Sequence, residues 1–262
     1  YWLELFEGES EVNTIIVFLK RIRFGKYATA FLLVAFALIG FILFGQYLLS
    51  NPLVVMFDRH FYQAINGGPH YTWLDLLIKP FNFNFLPNGG SMPSYFYFML
   101  GALLIYLLIY NRKAFGWAVL AIIIGSMLTA TVTSLHWKYV HRERPFISLP
   151  NNVDDYGKNA WKNWNSYPSG HARETALYST IIAGFVLKLR WFLVVFVLFV
   201  AYSRVYLGAH YPTDALSGAL IGFLISKATL ILIGELQIIL NIIRGKRNSP
   251  DKSPGEVAVG RS

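Results

Sequence analysis

Six long apolar stretches limit what this chain can fold into more than any other feature. They run near 27–49, 93–110, 114–136, 172–189, 191–208 and 214–240. A bilayer core of about 30 Å takes roughly 20 apolar residues as a helix. None of the runs alternates as outer-membrane barrel strands do, and no internal repeat is visible. The fold expected is therefore an all-α bundle of six transmembrane helices. Composition agrees: 55% of the 262 residues are hydrophobic. Only 14% are charged, against about 25% in soluble domains. The mean hydropathy of +0.45 excludes a disordered chain and argues against a soluble enzyme. The absence of cysteine excludes a disulfide scaffold, a catalytic thiol, Cys-ligated zinc and iron–sulfur clusters.

A net charge of +9 would suggest nucleic acid in a soluble protein. Here the basic residues flank the apolar runs instead, so no nucleic-acid partner is expected. Lys20, Arg21, Arg23 and Lys26 precede the first run. Arg112 and Lys113 separate the second from the third, and Lys188 and Arg190 the fourth from the fifth. Arg244, Lys246 and Arg247 follow the sixth. With six crossings all four clusters share one side, which the positive-inside rule makes cytoplasmic. The expected organisation is an amphipathic cytoplasmic-surface segment at 1–26, a six-span membrane domain at 27–244 and a flexible cytoplasmic tail at 245–262. The chain opens on Tyr1, so its natural N-terminus is expected upstream. Runs four and five should form a tight hairpin turning at Leu189-Arg190. The aromatic-rich stretch 50–92 reads as loops and interfacial helices.

Three polar clusters fall at the opposite, non-cytoplasmic ends of the runs. They are Lys138-Tyr139-Val140-His141-Arg142-Glu143-Arg144-Pro145, Pro168-Ser169-Gly170-His171, and Ser203-Arg204 through His210 to Asp214. Ionisable residues beside membrane spans are functional candidates, and this set suits a tetrahedral anion. Arg144 and Arg204 offer bidentate contacts to phosphate oxygens. Ser169 and Gly170 precede a helix, so hydroxyl, N–H and helix dipole favour an anion there. His171 and His210 bring nucleophilic and acid–base capability. Asp214, four residues after His210, is suited to fixing the imidazole tautomer, as the carboxylate of a catalytic triad does. His60, His70, His136 and His141 match no motif position and read as interface or packing residues. Lys227 and Glu235, inside the sixth run, read as snorkelling or as pairing within the bundle. Asp154-Asp155 reads as part of a solvated loop.

These clusters resemble the signature of the type 2 phosphatidic acid phosphatase (PAP2) superfamily: Lys-x6-Arg-Pro, then Pro-Ser-Gly-His, then Ser-Arg-x5-His-x3-Asp. The second and third blocks match in full. In the first, five residues rather than six separate Lys138 from Arg144, and Trp137 holds the expected register. On a helix, residues seven apart share a face, whereas residues six apart are displaced by about 120°. Either Lys138 still reaches the phosphate because the helix ends early, or Arg142 substitutes for it. The resemblance implies a phosphohydrolase with no metal and no cofactor, acting on a lipid phosphate at the extracytoplasmic face. It makes His210 the nucleophile, Asp214 its orienting group and His171 the acid and then the base. Lys138, Arg144, Ser169, Gly170 and Arg204 would hold the phosphate oxygens. Three other readings stay open: transfer of the phosphoryl group to a second lipid, a soluble phosphate ester as substrate, and a non-catalytic protein that binds lipid phosphate. The sequence is silent on oligomeric state.

Overall fold

A computed structural model describes residues 24–69, 71–78, 94–149 and 165–247. Most of the amphipathic N-terminal segment, the tail beyond 247, His70 and Asp154-Asp155 lie outside the described residues. Every described element is helical. Helix α1 runs Phe24–Ala35, passes through a π-helical stretch at Phe36–Gly40 and continues as Phe41–Ser50. There follow α2 (Pro52–Asn66), α3 (Thr72–Ile78), α4 (Ser94–Tyr110), α5 (Arg112–Tyr139) and the single turn α6 (Pro145–Ser148). The last three are α7 (Gly170–Phe185), α8 (Arg190–Tyr206) and α9 (Pro212–Arg247).

All six apolar runs are helical over most of their described length, with Val186, Leu207 and Gly208 falling between helices. Four stretches are long and apolar enough to cross a membrane: Gly25–Ser50, Arg112–Tyr139, Leu187–Tyr206 and Pro212–Ile243. The chain is thus a multi-pass membrane protein. The other two runs fall short of that measure. The apolar part of α4 counted there is Leu100–Tyr110. Helix α7 has 16 residues, and its polar Arg173, Thr175 and Ser179 are buried. A helix enclosed by other helices meets protein rather than lipid, so it tolerates such residues.

Helix α7 packs between α5, α8 and α9. Gly218 and Gly222, spaced as the small-residue pairs that let membrane helices approach closely, bring α9 onto α7. A Cβ at Gly218 would lie 2.4 Å from the Ser169 carbonyl oxygen, and one at Gly222 2.0 Å from that of Arg173. The apolar core joins Phe41 and Leu48 of α1, Val132 of α5, Ile181 of α7 and Ile225 of α9. At the far end Lys26 of α1 pairs with the buried Glu235 of α9 at 2.9 Å. The fourth and fifth runs turn through a short 3-10 segment at Leu187–Leu189, one residue ahead of the expected turn.

Helix α2 opens on a good cap. Asn51 Oδ1 accepts from Leu53 N at 3.0 Å and Val54 N at 3.4 Å, and Pro52 takes the first helical position. Its buried stripe is Asp58, Tyr62 and Asn66, one helical turn apart. Asn66 Nδ2 donates to the Tyr206 carbonyl at 2.9 Å, and Tyr206 Oη donates to Asp75 of α3 at 2.6 Å. These contacts seat α2 and α3 on the end of the bundle that carries the signature residues.

Candidate active site

The turn from α8 to α9 explains the Arg-x5-His spacing. Gly208 has φ of 75°, a conformation that favours glycine. Gly208 N donates to the Val205 carbonyl at 2.9 Å and Ala209 N to that of Arg204 at 3.0 Å. These are the paired bonds of a Schellman cap. The chain therefore doubles back, and His210 N also reaches the Arg204 carbonyl at 3.3 Å. Pro212 then starts α9, with Asp214 in its first turn. Asp214 Oδ2 accepts from Tyr211 N at 3.0 Å, which is the acidic half of a capping box.

His210 is 3% exposed. Its Nδ1 lies 2.7 Å from the Ser166 carbonyl, and its Nε2 3.2 Å from Arg144 Nη1. A carbonyl only accepts and a guanidinium only donates. Nδ1 therefore carries the proton, and Nε2 presents its lone pair. Burial, then the charges of Arg144, Arg204 and His171, push the His210 pKa well below its ordinary value, with the Ser166 carbonyl opposing. The imidazole is therefore held toward its neutral form.

Asp214 does not hold His210 directly: its Oδ2 is 4.0 Å from Nδ1. Besides Tyr211 N, the fully buried carboxylate accepts from Ser166 Oγ at 2.6 Å and from Arg142 Nη1 at 2.6 Å. Ser166 thus links the two. Its hydroxyl donates to Asp214, while its carbonyl orients His210.

Arg142 is buried and committed to structure. One Nη meets Asp214 Oδ1 and Thr213 Oγ1, the other meets Asp58 Oδ2 at 2.5 Å, and its guanidinium carbon stands 4.2 Å from the Tyr211 ring centroid. Burial works against its charge, but Asp214 and Asp58 outweigh that and raise its pKa. Asp58 also accepts from Thr213 N at 3.0 Å and from Thr213 Oγ1. Arg142 is therefore no stand-in for Lys138. Lys138 itself is exposed in the last turn of α5, its Nζ 5.3 Å from the Tyr139 ring centroid. Among the described residues no hydrogen bond or ion pair joins it to the cluster.

The other signature residues converge. Arg144 caps the turn α6 and reaches the Ala209 carbonyl at 3.0 Å and the Asn165 carbonyl at 3.2 Å. Arg204 is fully buried in the last turn of α8. Ser169 is the N-cap of α7, yet its hydroxyl makes no cap bond. Among the described residues Ser169 Oγ has no partner, although it is fully buried. A buried hydroxyl left without a partner is costly, and at a helix N-terminus it suits an anion's oxygen. Gly170 and the half-buried His171 open α7 beside it.

A sequence profile of the PAP2 superfamily matches residues 115–237. Just under half of the chain thus matches the PAP2 superfamily. It is 35% identical over 119 residues to the bacitracin transport permease protein BcrC of Bacillus licheniformis, a stretch covering 44% of this chain and 53% of that one. The chain thus spans about half the length of that curated relative. Two solved structures are similar. LpxE of Aquifex aeolicus is 26% identical with a TM-score of 0.49, covering 65% of this chain and 93% of that one. A PAP2-type phosphatidylglycerolphosphate phosphatase of Bacillus subtilis is 20% identical with a TM-score of 0.54, covering 78% of this chain and 98% of that one. The second likeness shows a shared fold. The matched profile encloses His171, His210, Asp214, Arg144 and Arg204, so the signature lies within the family's domain rather than beside it.

Sequence reasoning missed Asp58, Ser166 and the pair Gly218 and Gly222. Asp58 belongs to no motif in its aromatic-rich stretch, and Ser166 lies two residues ahead of the Pro-Ser-Gly-His block. The glycines were four residues apart in an apolar run, a spacing that was readable.

Proposed function

We propose that this protein hydrolyses a phosphomonoester or diphosphate on a membrane lipid, with His210 as nucleophile. The observation that carries the reading is the His210 tautomer: Nδ1 is tied to the Ser166 carbonyl, so the lone pair of Nε2 points to the side where Arg144 lies. His210 Nε2 attacks phosphorus and the bond to the leaving oxygen breaks. His171 protonates that oxygen. A water then attacks the phosphohistidine, giving its proton to His171, and phosphate departs with Nε2 restored. Arg144, Arg204, Ser169 and Gly170 stabilise the equatorial oxygens as charge shifts. Asp214 acts on His210 at one remove, through Ser166.

Six crossings, with α4 and α7 completing the four long spans, put the basic clusters and both termini on the cytoplasmic side. The site then faces the extracytoplasmic side at headgroup depth. The test is phosphate release by the purified protein, with His210→Ala as control. The panel is a polyprenyl diphosphate, phosphatidylglycerol phosphate, phosphatidic acid, lipid A and glucose 6-phosphate. A preferred lipid, lost in the variant and unaffected by EDTA, supports the reading. Activity that survives His210→Ala overturns it.

A further inference from the structure

A cavity of about 440 Å³ lies between α7, α8 and α9 at the end away from the candidate site. Its walls are mainly apolar, with Ala183, Leu193, Val197 and Phe223 among them, and two cations line it, Arg190 and Lys227. Lys227 lies thirteen residues beyond Asp214, about 20 Å along the helix. Arg190 lies fourteen residues before Arg204, about the same distance away. The cavity is therefore separate from the catalytic cluster.

Lys227 needs explaining because charge inside a membrane span is costly. Glu235 on the same helix is answered by Lys26. Among the described residues no carboxylate lies within ion-pair distance of Lys227 or Arg190. Each sits over one aromatic ring instead, Lys227 at 5.3 Å from Phe223 and Arg190 at 5.5 Å from Trp191. Arg190 also opens α8, whose first turn holds no acidic residue and has no side-chain cap. Two cations and the positive end of a 17-residue helix thus meet beside an apolar groove. That arrangement complements one molecule class in a bilayer, a phospholipid with net negative charge.

We propose that this cavity binds one anionic phospholipid from the leaflet opposite the candidate site. Its phosphate lies between Arg190 and Lys227, and an acyl chain runs along Leu193, Val197 and Phe223. The lipid is a bound companion and not the substrate, so the inference stands apart from the catalytic reading.

The test uses the purified full chain in a neutral detergent. Native mass spectrometry follows titration with dioleoyl phosphatidylglycerol or dioleoyl phosphatidylcholine, which differ in charge and share tails. One phosphatidylglycerol should bind at least tenfold more tightly than phosphatidylcholine. The double variant Arg190→Gln, Lys227→Gln should bring the two lipids level, and Lys227→Arg should keep the preference. Ala183→Phe, which fills the groove without touching charge, should weaken both lipids. Thermal unfolding of each variant confirms that it is folded. Equal retention of the two lipids by the unaltered protein, or a preference that survives the double variant, overturns the proposal.

Discussion

If Asp214 orients His210 through Ser166, the two side chains should be coupled in catalysis. The perturbations are Ser166→Ala, Asp214→Asn and the double variant. Ser166→Ala removes the 2.6 Å hydroxyl bond to Asp214 but keeps the carbonyl that meets His210 Nδ1. A hydrogen bond to a charged partner is worth about 1.5–3 kcal/mol. If that energy positions His210 in the transition state, Ser166→Ala lowers kcat by about 10- to 150-fold with little change in KM. Asp214→Asn costs more, because it also weakens the hold on the buried Arg142. With Asn at 214 the Ser166 hydroxyl has already lost its charged acceptor, so removing it costs less, and the two losses in the double variant should fall short of their product by about tenfold or more. The assay is initial-rate phosphate release for the four proteins at matched, confirmed folding. Losses that multiply, or a Ser166→Ala enzyme with unchanged kcat, would refute the route through Ser166. They would favour a direct Asp214–His210 contact that forms only with substrate bound.

Other outcomes follow from the same geometry. On the proposed mechanism His210 must be neutral to attack, and its pKa is depressed by burial and then by Arg144. Activity should therefore be retained above that depressed pKa and lost as pH falls through it, an acid limb below about pH 6.5. Arg144→Gln removes one depressing charge, so the acid limb of kcat/KM should move to higher pH as well as fall in height; a limb that stays put refutes the electrostatic account. Lys138→Ala should change kcat/KM by less than about threefold, whereas Arg144→Ala and Arg204→Ala should each cost about 100-fold or more, in line with charge-assisted contacts to phosphate. Equal losses for all three would show that Lys138 reaches the phosphate in the working enzyme. Gly222→Ala should lower stability by about 1–3 kcal/mol or more, since its Cβ would overlap the Arg173 carbonyl. Gly234→Ala on the same helix meets nothing within 4 Å and should raise stability by up to about 1 kcal/mol, a contrast readable by thermal unfolding in detergent.

What could be read from the sequence was what is local in it. Apolar runs gave helices because a 3.6-residue spiral of apolar side chains satisfies its own backbone wherever it sits. Span counting was less secure for α7, because its polar residues are covered by neighbouring helices, two of which, α5 and α9, come from separate parts of the chain. Lys138 shows the limit of register: one missing residue between it and Arg144 was visible, yet Trp137, which holds the expected register, is exposed at the end of α5 as well. The direct Asp214–His210 contact expected from their four-residue spacing is replaced by a mediated one. Four residues do bring them within one turn, but the chain between them is a cap, with Pro212 starting the helix. The carboxylate turns back to its own backbone at Tyr211 and outward to Arg142.

Spacing in the third block is best understood as a demand of backbone geometry. Arg204 and His210 meet because Gly208 reverses the chain within a Schellman cap, whose two bonds fix how many residues separate the end of α8 from the return. One residue more or fewer would break that pairing and carry His210 off the Arg204 carbonyl. The supporting network has no such local rule. Asp58 reaches Arg142 across 84 residues, and Ser166 reaches Asp214 across 48. Neither distance leaves a trace in a short motif, since any buried acceptor on α2 that met Arg142 would serve the geometry. The chemistry of this site is thus carried by residues whose spacing is set by caps and turns. Its rigidity is carried by residues whose only shared property is being buried together.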